Sequence, residues 1–484
     1  MLSVKIIFPF LKWYCRRFTP LIPGFSSGSR NPSSSSSPPF DDDVMGRIFS
    51  SLLIGQRARM RLVCRSWKDT IDRADFPVRP EPPWLITPHH EPTFPACLTL
   101  ESPSENRKYR HRLPPHLVSG GRRWSCRGSG CGWLLLVGHT PASGHRSTEM
   151  VLWDPLSGAT QSLPSVTTLP FFDELATGCR KHELDFSSPL VTSRARVSHS
   201  STVAVVFSLV DDEYIHRNAW DRLAVCSPGD PTWTAVLPNN NNDDGETNRY
   251  SDILFHGGRL FAVCPPWDPG SRPFVSKTST HTLASSANLE VVTCELAYGG
   301  DFSESDEDED NDVVGLSDVL KDWIVAEHLV GCEEDDELLL VSSTLDLFSH
   351  NFDMGGGKTR VYKCPQTRRF EVRRLRVNGD GLLLSSSLEK VEQMGDKCIY
   401  LGDTGSISME GVSEDDEPNC IRYATMDGVG MFRDTSIFNP DNMYSVHEIG
   451  VFNVAEERIQ RTCMITTKTQ LGSCSGWFTP ALRF

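Results

Sequence analysis

Two short motifs in the sequence contain residue types that serve as nucleophiles or phosphate ligands in enzymes. Residues 24–28, Gly-Phe-Ser-Ser-Gly, have the spacing of a nucleophile elbow, which needs a strand before the serine and a helix after it. This motif lies instead in a Ser-rich, low-complexity stretch. Residues 355–358, Gly-Gly-Gly-Lys, lack the first glycine of a phosphate-binding loop, and no helical pattern follows them. We therefore interpret the first motif as part of a tail and the second as a hairpin tip.

The closest approach to a metal-binding pattern lies in the acidic tract at 301–312. Asp306, Asp308 and Asp310 alternate as in a calcium loop, but Asn311 occupies the position where that loop requires glycine. The adjacent histidines at positions 89 and 90 do not have the spacing of a zinc-binding helix. We predict no metal, no cofactor and no catalytic residue, which favours a binding protein over an enzyme.

Charge and hydropathy exclude two further classes. The 484 residues include 48 Lys and Arg against 63 Asp and Glu, a net charge of −15 at pH 7. Such a surface repels polyanions, so we expect no nucleic-acid partner. No apolar run approaches the roughly 18–20 residues that cross a bilayer, so we expect no membrane partner either. A partner protein or a small ligand is the better remaining candidate.

The cysteines are typical of a reducing compartment. Fifteen cysteines are scattered along the chain, and no Cys-x-x-Cys pair occurs among them. Several fall within strand-like apolar runs, namely Cys226, Cys264, Cys398 and Cys420. Because a free cysteine behaves as a small hydrophobic residue, we predict that these are buried core thiols.

Residues 1–39 differ in composition from the rest of the chain. They contain no Asp or Glu, carry several Lys and Arg residues, and end in a Ser/Pro tract. This composition is typical of an organellar transit peptide, although a disordered basic tail would have it as well.

A helical pattern follows the tail. Val44, Ile48, Phe49 and Leu52 recur with a 3.6-residue period, and the acidic residues 41–43 stand where a helix N-terminus favours negative charge. This predicts a short amphipathic helix.

Gly55 interrupts this pattern, and a second helical stretch then runs through Val63 and Trp67 to Ile71. Prolines from Pro77 onward end the helical pattern. A helical unit of residues 40–76 lies at the lower size limit for independent folding, so a partner or the following domain must cover its apolar face. We expect the unit and the following domain to bury separate cores.

From residue 84 onward the pattern is β. Short apolar runs are bounded by Gly, Pro, Asn and Asp, as at 132–137, 202–209, 253–263, 338–342 and 398–401. Similar hairpin-like units recur at distances that accommodate steps of about 40–50 residues, the blade length of propeller repeats. We therefore predict a mainly β fold, in which residues 84–484 form a β-propeller. The sequence does not determine the number of blades. We predict that the acidic tract 301–312 is a solvated loop.

Residues 40–71 resemble the F-box. The pairs Asp43-Val44 and Ile48-Phe49 match its first helix, and residues 59–67, Arg-Met-Arg-Leu-Val-Cys-Arg-Ser-Trp, match its characteristic ending. The chain departs from the pattern at Arg57, where an apolar residue is usual. The resemblance implies binding to a Skp-family adaptor and a cullin, with the adaptor-binding residues at Val44, Ile48, Phe49, Leu52, Val63 and Trp67. It also implies that replacing Arg57 by Leu strengthens that binding.

The remainder resembles the plant KIB-type, kelch-like β-propeller domain. The resemblance rests on Gly-Trp-Leu-Leu at 132–135, Asp-Pro-Leu-Ser-Gly at 154–158, the run at 252–263 and Trp-Phe-Thr-Pro at 477–480. It implies a substrate-recruiting subunit of an SCF-type ubiquitin ligase whose propeller face binds an unknown target protein, in the cytoplasm or nucleus. The acid-free N-terminus keeps open an alternative, a mitochondrial propeller protein with a relict F-box.

Overall fold

The computed structural model describes most of the chain after the first helix begins. The described residues are 42–72, 80–87, 97–119, 123–139, 149–170, 172, 190–209, 220–236, 250–264, 273–283, 289–298, 324–332, 337–353, 359–376, 388–410, 417–425, 444–468 and 476–481. The chain divides into two compact units, Met1–Met45 and Gly46–Phe484. Of the first unit the structure describes the start of one helix, so the fold below is that of the second.

Among the described residues, three helices form the helical unit and a fourth lies in the β domain. They are α1 Asp42–Ser50, α2 Ile54–Met60, α3 Arg65–Asp72 and α4 Pro115–Val118. The sequence pattern placed a break at Gly55, but the chain turns at Ser51–Leu53 and Gly55 lies inside α2. That glycine serves close packing rather than helix termination.

The described part of the β domain contains twenty-five strands. They are β1 Trp84–Thr87, β2 Cys97–Ser102, β3 Arg107–Arg112, β4 Arg123–Gly130, β5 Trp133–His139, β6 Glu149–Trp153, β7 Thr160–Ser162, β8 Leu190–Val197, β9 Val203–Leu209, β10 Trp220–Cys226, β11 Thr234–Val236, β12 Asp252–His256, β13 Arg259–Cys264, β14 Pro273–Thr282, β15 Glu290–Tyr298, β16 Ile324–Cys332, β17 Glu337–Asp353, β18 Thr359–Leu375, β19 Glu389–Lys390, β20 Lys397–Gly402, β21 Ile407–Glu410, β22 Cys420–Thr425, β23 Tyr444–Asn453, β24 Arg458–Lys468 and β25 Gly476–Phe478. The predicted mainly β fold is confirmed.

These strands form the blades of a propeller. One sheet has eight strands, in the order β11-β10-β9-β8-β4-β5-β6-β7. The other four sheets have the orders β25-β1-β2-β3, β12-β13-β15-β14, β16-β17-β18-β19 and β21-β20-β22-β23-β24. Because the eight-stranded sheet consists of two four-stranded halves, the described strands make six blades. The C-terminal strand β25 pairs with β1, so the chain's end completes the first blade.

A close approach of two inner strands joins the halves of the eight-stranded sheet. Strands β4 and β8 meet through the parallel pair Ser129↔Arg196. A Cβ atom added at Gly128 would lie 2.6 Å from the Ala195 carbonyl oxygen, so only glycine permits this contact. The joined sheet is therefore two neighbouring blades in edge contact.

The hydrophobic core lies in layers between consecutive blades. Trp133 and Trp233 pack between blades two and three with Phe207, whose ring centroid is 5.7 Å from that of Trp233. Trp153 is buried between blades one and two, and the four cysteines predicted to be core thiols are buried as well. Burial raises the pKa of the Cys226 thiol, which keeps it protonated and unreactive. The prediction that these four cysteines are buried core thiols is confirmed.

One buried ion pair connects three blades. Arg196 on β8 donates to Asp252 on β12 over 2.6 Å, and both side chains are almost fully buried. The second Asp252 oxygen accepts a hydrogen bond from the Leu329 backbone amide on β16 over 2.9 Å. Because removing one partner of a buried pair leaves an uncompensated charge, this cluster fixes the relative positions of blades three to five.

The Asp-Pro-Leu-Ser-Gly motif forms the tight turn that its residues predict. The Asp154 carboxylate accepts hydrogen bonds from the Leu156 and Ser157 amides at 2.8 and 3.3 Å. Gly158 has a φ of +76°, which an L side chain rarely adopts. These local interactions shape the turn that joins β6 to β7.

The repeat is longer than the sequence pattern suggested. The inner strands of four successive blades begin at Arg123, Leu190, Asp252 and Ile324, so the repeat spans roughly 60–70 residues rather than 40–50. Long strands contribute to the difference, since β17 and β18 each have 17 residues.

Several sequence features lie outside the described residues. They are the tail at 1–39, the motif at 24–28, the histidines at 89–90, the acidic tract at 301–312 and the glycines at 355–357. Within the part of the chain that the structure describes, no helix is long and apolar enough to span a membrane.

Candidate functional site

The interior of the helical unit contains half of the predicted adaptor-binding residues. Phe49, Leu52 and Trp67 are all at least nine-tenths buried. The rings of Phe49 and Trp67 meet edge to face with centroids 6.0 Å apart, which joins α1 to α3. These residues fix the shape of the helical unit and do not reach its surface.

The other predicted residues lie nearer the surface. Val44 and Val63 are 44% and 43% exposed, and Ile48 is half-buried. Leu62, which the sequence pattern did not select, is 85% exposed in the turn between α2 and α3. A side chain of this size in water is a candidate contact residue. That the six selected residues bind an adaptor stays a prediction.

Arg57 has a structural role that its sequence position did not reveal. Its side chain is 2% exposed, and its Nε donates to the Phe49 backbone oxygen over 2.7 Å. Burial lowers the pKa of this guanidinium. The hydrogen bond adds a charged donor to a carbonyl in the last turn of α1, which also accepts a hydrogen bond of 3.1 Å from the Leu52 amide. Arg57 thus links α1 to α2 through this hydrogen bond, and the expectation that Arg57→Leu strengthens adaptor binding stays a prediction.

Helix α2 packs closely on the first blade. A Cβ atom at Gly55 would lie 3.0 Å from the Tyr109 hydroxyl and 3.2 Å from the Trp84 ring. The Trp84 and Tyr109 rings stack with centroids 4.9 Å apart. Ile54 belongs to the same apolar cluster as Trp84 and Phe478. The expectation of separate cores is therefore wrong, because the following domain covers one face of the helical unit.

Polar contacts reinforce this packing. Arg59 forms an ion pair of 3.5 Å with Glu105, which also accepts a hydrogen bond from the Tyr109 hydroxyl. Burial raises the pKa of the Glu105 carboxyl, against the opposing effect of Arg59. Glu81 accepts a hydrogen bond of 3.1 Å from the Ile54 amide at the start of α2. The segment before β1 thus caps the helix that packs on the blade.

The inner strands of all six blades line a central cavity of about 860 Å³. Its wall includes Ser129, Arg196, His256, Ser406 and Trp477. Arg196 forms the buried ion pair with Asp252. Across the described ranges, no group of three or more His, Cys, Asp or Glu side chains is arranged to hold a metal ion.

In the described residues, a small helical unit packs on the first blade of a propeller. Family comparison agrees: an F-box domain matches residues 40–79, and the KIB1-4 beta-propeller matches residues 100–453, which are 354 of the 484 residues. The chain therefore belongs to the KIB1-4 beta-propeller family and carries an F-box. This combination supports the general role of an F-box substrate-recognition adaptor, and F-box domains in general bind Skp1.

Solved structures with some similarity include two fungal glycosidases. The alpha-L-arabinanase of Penicillium chrysogenum with arabinobiose is 10% identical, with 81% of this chain and 99% of that chain covered and a TM-score of 0.24. The alpha-L-arabinofuranosidase Arb93A of Fusarium graminearum with an iminosugar inhibitor is 8% identical, with coverage of 71% and 92% and a TM-score of 0.24. No curated protein matches the chain.

Proposed function

We propose that the protein is the substrate-recruiting subunit of an SCF-type ubiquitin ligase. In this role the helical unit binds a Skp-family adaptor that links it to a cullin, and the propeller binds the target protein. The observation that carries the proposal is the pairing of a buried Phe49–Trp67 core with a strongly exposed Leu62.

The helical unit leaves apolar side chains exposed to water. The first blade covers the face of α2 around Ile54 and Gly55. The turn residues Leu62 and Val63 remain exposed, and exposed apolar groups of this size are typical anchors of protein interfaces. Half-buried Ile48 on α1 adds a third apolar group.

Binding to a purified Skp-family adaptor tests the proposal. We expect Leu62→Asp and Ile48→Asp each to weaken binding by about thirtyfold or more, because truncating an interface anchor commonly costs about 2 kcal/mol. Val118→Asp is the control, since Val118 is also an exposed apolar residue, 40% accessible, but lies on α4 in the β domain. The proposal fails if the unmodified protein binds no adaptor, or if Val118→Asp weakens binding as much as Leu62→Asp.

The second candidate is a mitochondrial interaction protein whose F-box no longer binds an adaptor. It is favoured by the absence of Asp and Glu from residues 1–39. Imaging a C-terminal fluorescent fusion separates the two. The ligase proposal expects cytoplasmic and nuclear signal with or without residues 1–38, whereas the alternative expects mitochondrial signal that disappears when those residues are removed.

A further inference from the structure

Strand β3 is an unusually basic segment of an acidic protein. Its six residues, Arg107–Arg112, read Arg-Lys-Tyr-Arg-His-Arg and contain no carboxylate, in a chain whose net charge is −15. Arg107, Lys108, Arg110 and Arg112 are all exposed. The strand therefore concentrates positive charge that the overall composition does not suggest.

The two faces of β3 have different partners. Tyr109 stacks on Trp84, and the His111 ring lies 6.5 Å from that of Trp153, so this face packs on the core. Lys108, Arg110 and Arg112 occupy the opposite face, because side chains alternate along a strand. The result is a row of three cations at every second residue.

Only one of these three cations has an acidic neighbour across the sheet. Lys108 lies opposite Glu101 on β2 and forms an ion pair with it over 3.1 Å. Arg110 lies opposite Thr99, and Arg112 lies opposite Cys97. Among the described residues, no carboxylate lies within ion-pair distance of either arginine, so their charge is available to a partner.

The backbone of β3 has an open edge. It is the outermost strand of its sheet, and no other described strand pairs with its outer side. Its pairing with β2 runs over six residues without a bulge. The outermost strands β7, β11 and β19 are only two or three residues long, which limits their capacity to pair.

The outermost strand of the last blade has exposed arginines too, but they are paired. Arg458 and Arg461 on β24 form ion pairs with Glu456 and Glu417 over 2.6 and 3.1 Å. Strand β3 therefore differs from β7, β11, β19 and β24 in combining a regular open edge with uncompensated charge.

We propose that the outer edge of β3 binds an extended segment of another protein whose carboxylates recur at every second residue. The segment adds as a further strand, so its main chain pairs with the open edge of β3. Cross-strand neighbours lie about 4.5–5.5 Å apart, which brings alternate carboxylates next to Lys108, Arg110 and Arg112. This interaction does not depend on adaptor binding by the helical unit.

A nucleic acid fits this surface less well than a peptide. Three cations on a single strand are a small fraction of the phosphate contacts that stable nucleic-acid binding requires, and the remaining surface is acidic. A nucleic acid also has no means of using the open hydrogen-bonding edge. The peptide uses both features.

The test measures the affinity of the full-length protein for a fluorescent peptide of alternating Glu and Thr, by anisotropy at physiological salt. We expect the double variant Arg110→Glu with Arg112→Glu to lose at least about tenfold in affinity. Arg461→Glu is the control, because Arg461 is a 76% exposed cation on the outermost strand β24. It should retain affinity within about twofold. Circular dichroism melting confirms that each variant is folded.

A second peptide separates strand addition from simple charge attraction. It has the same composition with its glutamates in one block, and the proposal expects it to bind more weakly. Hydrogen exchange should show slower exchange of amides within residues 107–112 when the alternating peptide is bound. Equal binding of the two peptides, or protection elsewhere, overturns the proposal.

Two further outcomes would also overturn it. If the unmodified protein binds neither peptide, the cations of β3 only guard the edge against self-association. If a single-stranded oligonucleotide displaces the alternating peptide at comparable concentration, the surface is a general polyanion site.

Discussion

Arg57 illustrates how one side chain connects local structure to the shape of a binding unit. A guanidinium that is 2% exposed loses hydration, and it compensates by donating to the Phe49 carbonyl at the end of α1. That carbonyl belongs to the residue whose ring packs on Trp67. The hydrogen bond and the aromatic contact therefore stabilise the same junction between α1, α2 and α3.

Replacing Arg57 by Leu should destabilise the protein, although leucine is closer to the usual F-box residue. The Phe49 carbonyl loses a charged donor and keeps the Leu52 amide as a donor, and a hydrogen bond to a charged group contributes about 1.5–3 kcal/mol. Urea denaturation followed by tryptophan fluorescence measures the change. Arg47→Leu, at an exposed site on α1, is the control and should have little effect. An Arg57→Leu protein as stable as the unmodified one would show that the hydrogen bond is dispensable.

Helix α2 is the element that joins the helical unit to the propeller. One side carries Arg57 toward α1, and the other places Gly55 against Trp84 and Tyr109 on the first blade. Ile54 extends the apolar cluster of that blade into the helical unit. Because α2 contacts both parts, an adaptor bound to the unit is held in a fixed relation to the blades.

A larger residue at Gly55 should disturb this junction. A leucine side chain extends beyond a Cβ that already lies 3.0–3.3 Å from Tyr109, Trp84 and Glu105, and overpacking of this kind typically costs about 1–3 kcal/mol. We expect Gly55→Leu to lower the melting temperature measured by circular dichroism, despite the higher helix propensity of leucine.

The control for this prediction lies three residues further along the same helix. Ala58 is half-buried, so Ala58→Leu adds a comparable side chain outside the tight contact and should change the melting temperature much less. Equal melting temperatures for the two variants would argue against close packing at Gly55.

At the scale of the whole molecule, strand β25 joins the last blade of the propeller to the first. Strand β25 pairs with β1, and the Trp477 Nε1 donates to the Leu401 carbonyl of β20 over 2.8 Å. The Trp477 backbone oxygen accepts a hydrogen bond of 2.6 Å from Ser129 on β4. Hydrogen bonds of Trp477 with Leu401 and Ser129 therefore join the first, second and sixth blades.

Deleting residues 476–484 should open the propeller. The first blade loses its inner strand, and Trp84 loses its edge contact with Phe478, whose rings lie 6.4 Å apart. We expect a strong loss of soluble protein and of the cooperative thermal transition, because exposed strand edges promote aggregation. Removing only residues 482–484 is the control and should leave both unchanged. A soluble, cooperatively melting deletion of 476–484 would show that closure is not needed.

The features of this structure that the sequence predicts are those that depend on local interactions. The apolar runs at 132–137 and 398–401 form buried strands, and the turn at Asp154 forms from hydrogen bonds within a few residues. The helical period of α1 and the ending of the F-box pattern at Trp67 likewise depend on nearest neighbours. The sequence by itself therefore determined the fold class and the presence of a helical unit before a β domain.

Contacts between distant residues were decided by the tertiary structure alone. Leu85 pairs with Trp477 across almost the whole domain, and the packing of Gly55 on Trp84 depends on where the first blade lies. The sequence does not show whether Arg57 is a surface cation or a buried donor. It is a buried donor because it lies beside the end of α1. No short-range periodicity encodes these partners, because each depends on the simultaneous placement of elements that are separated along the chain.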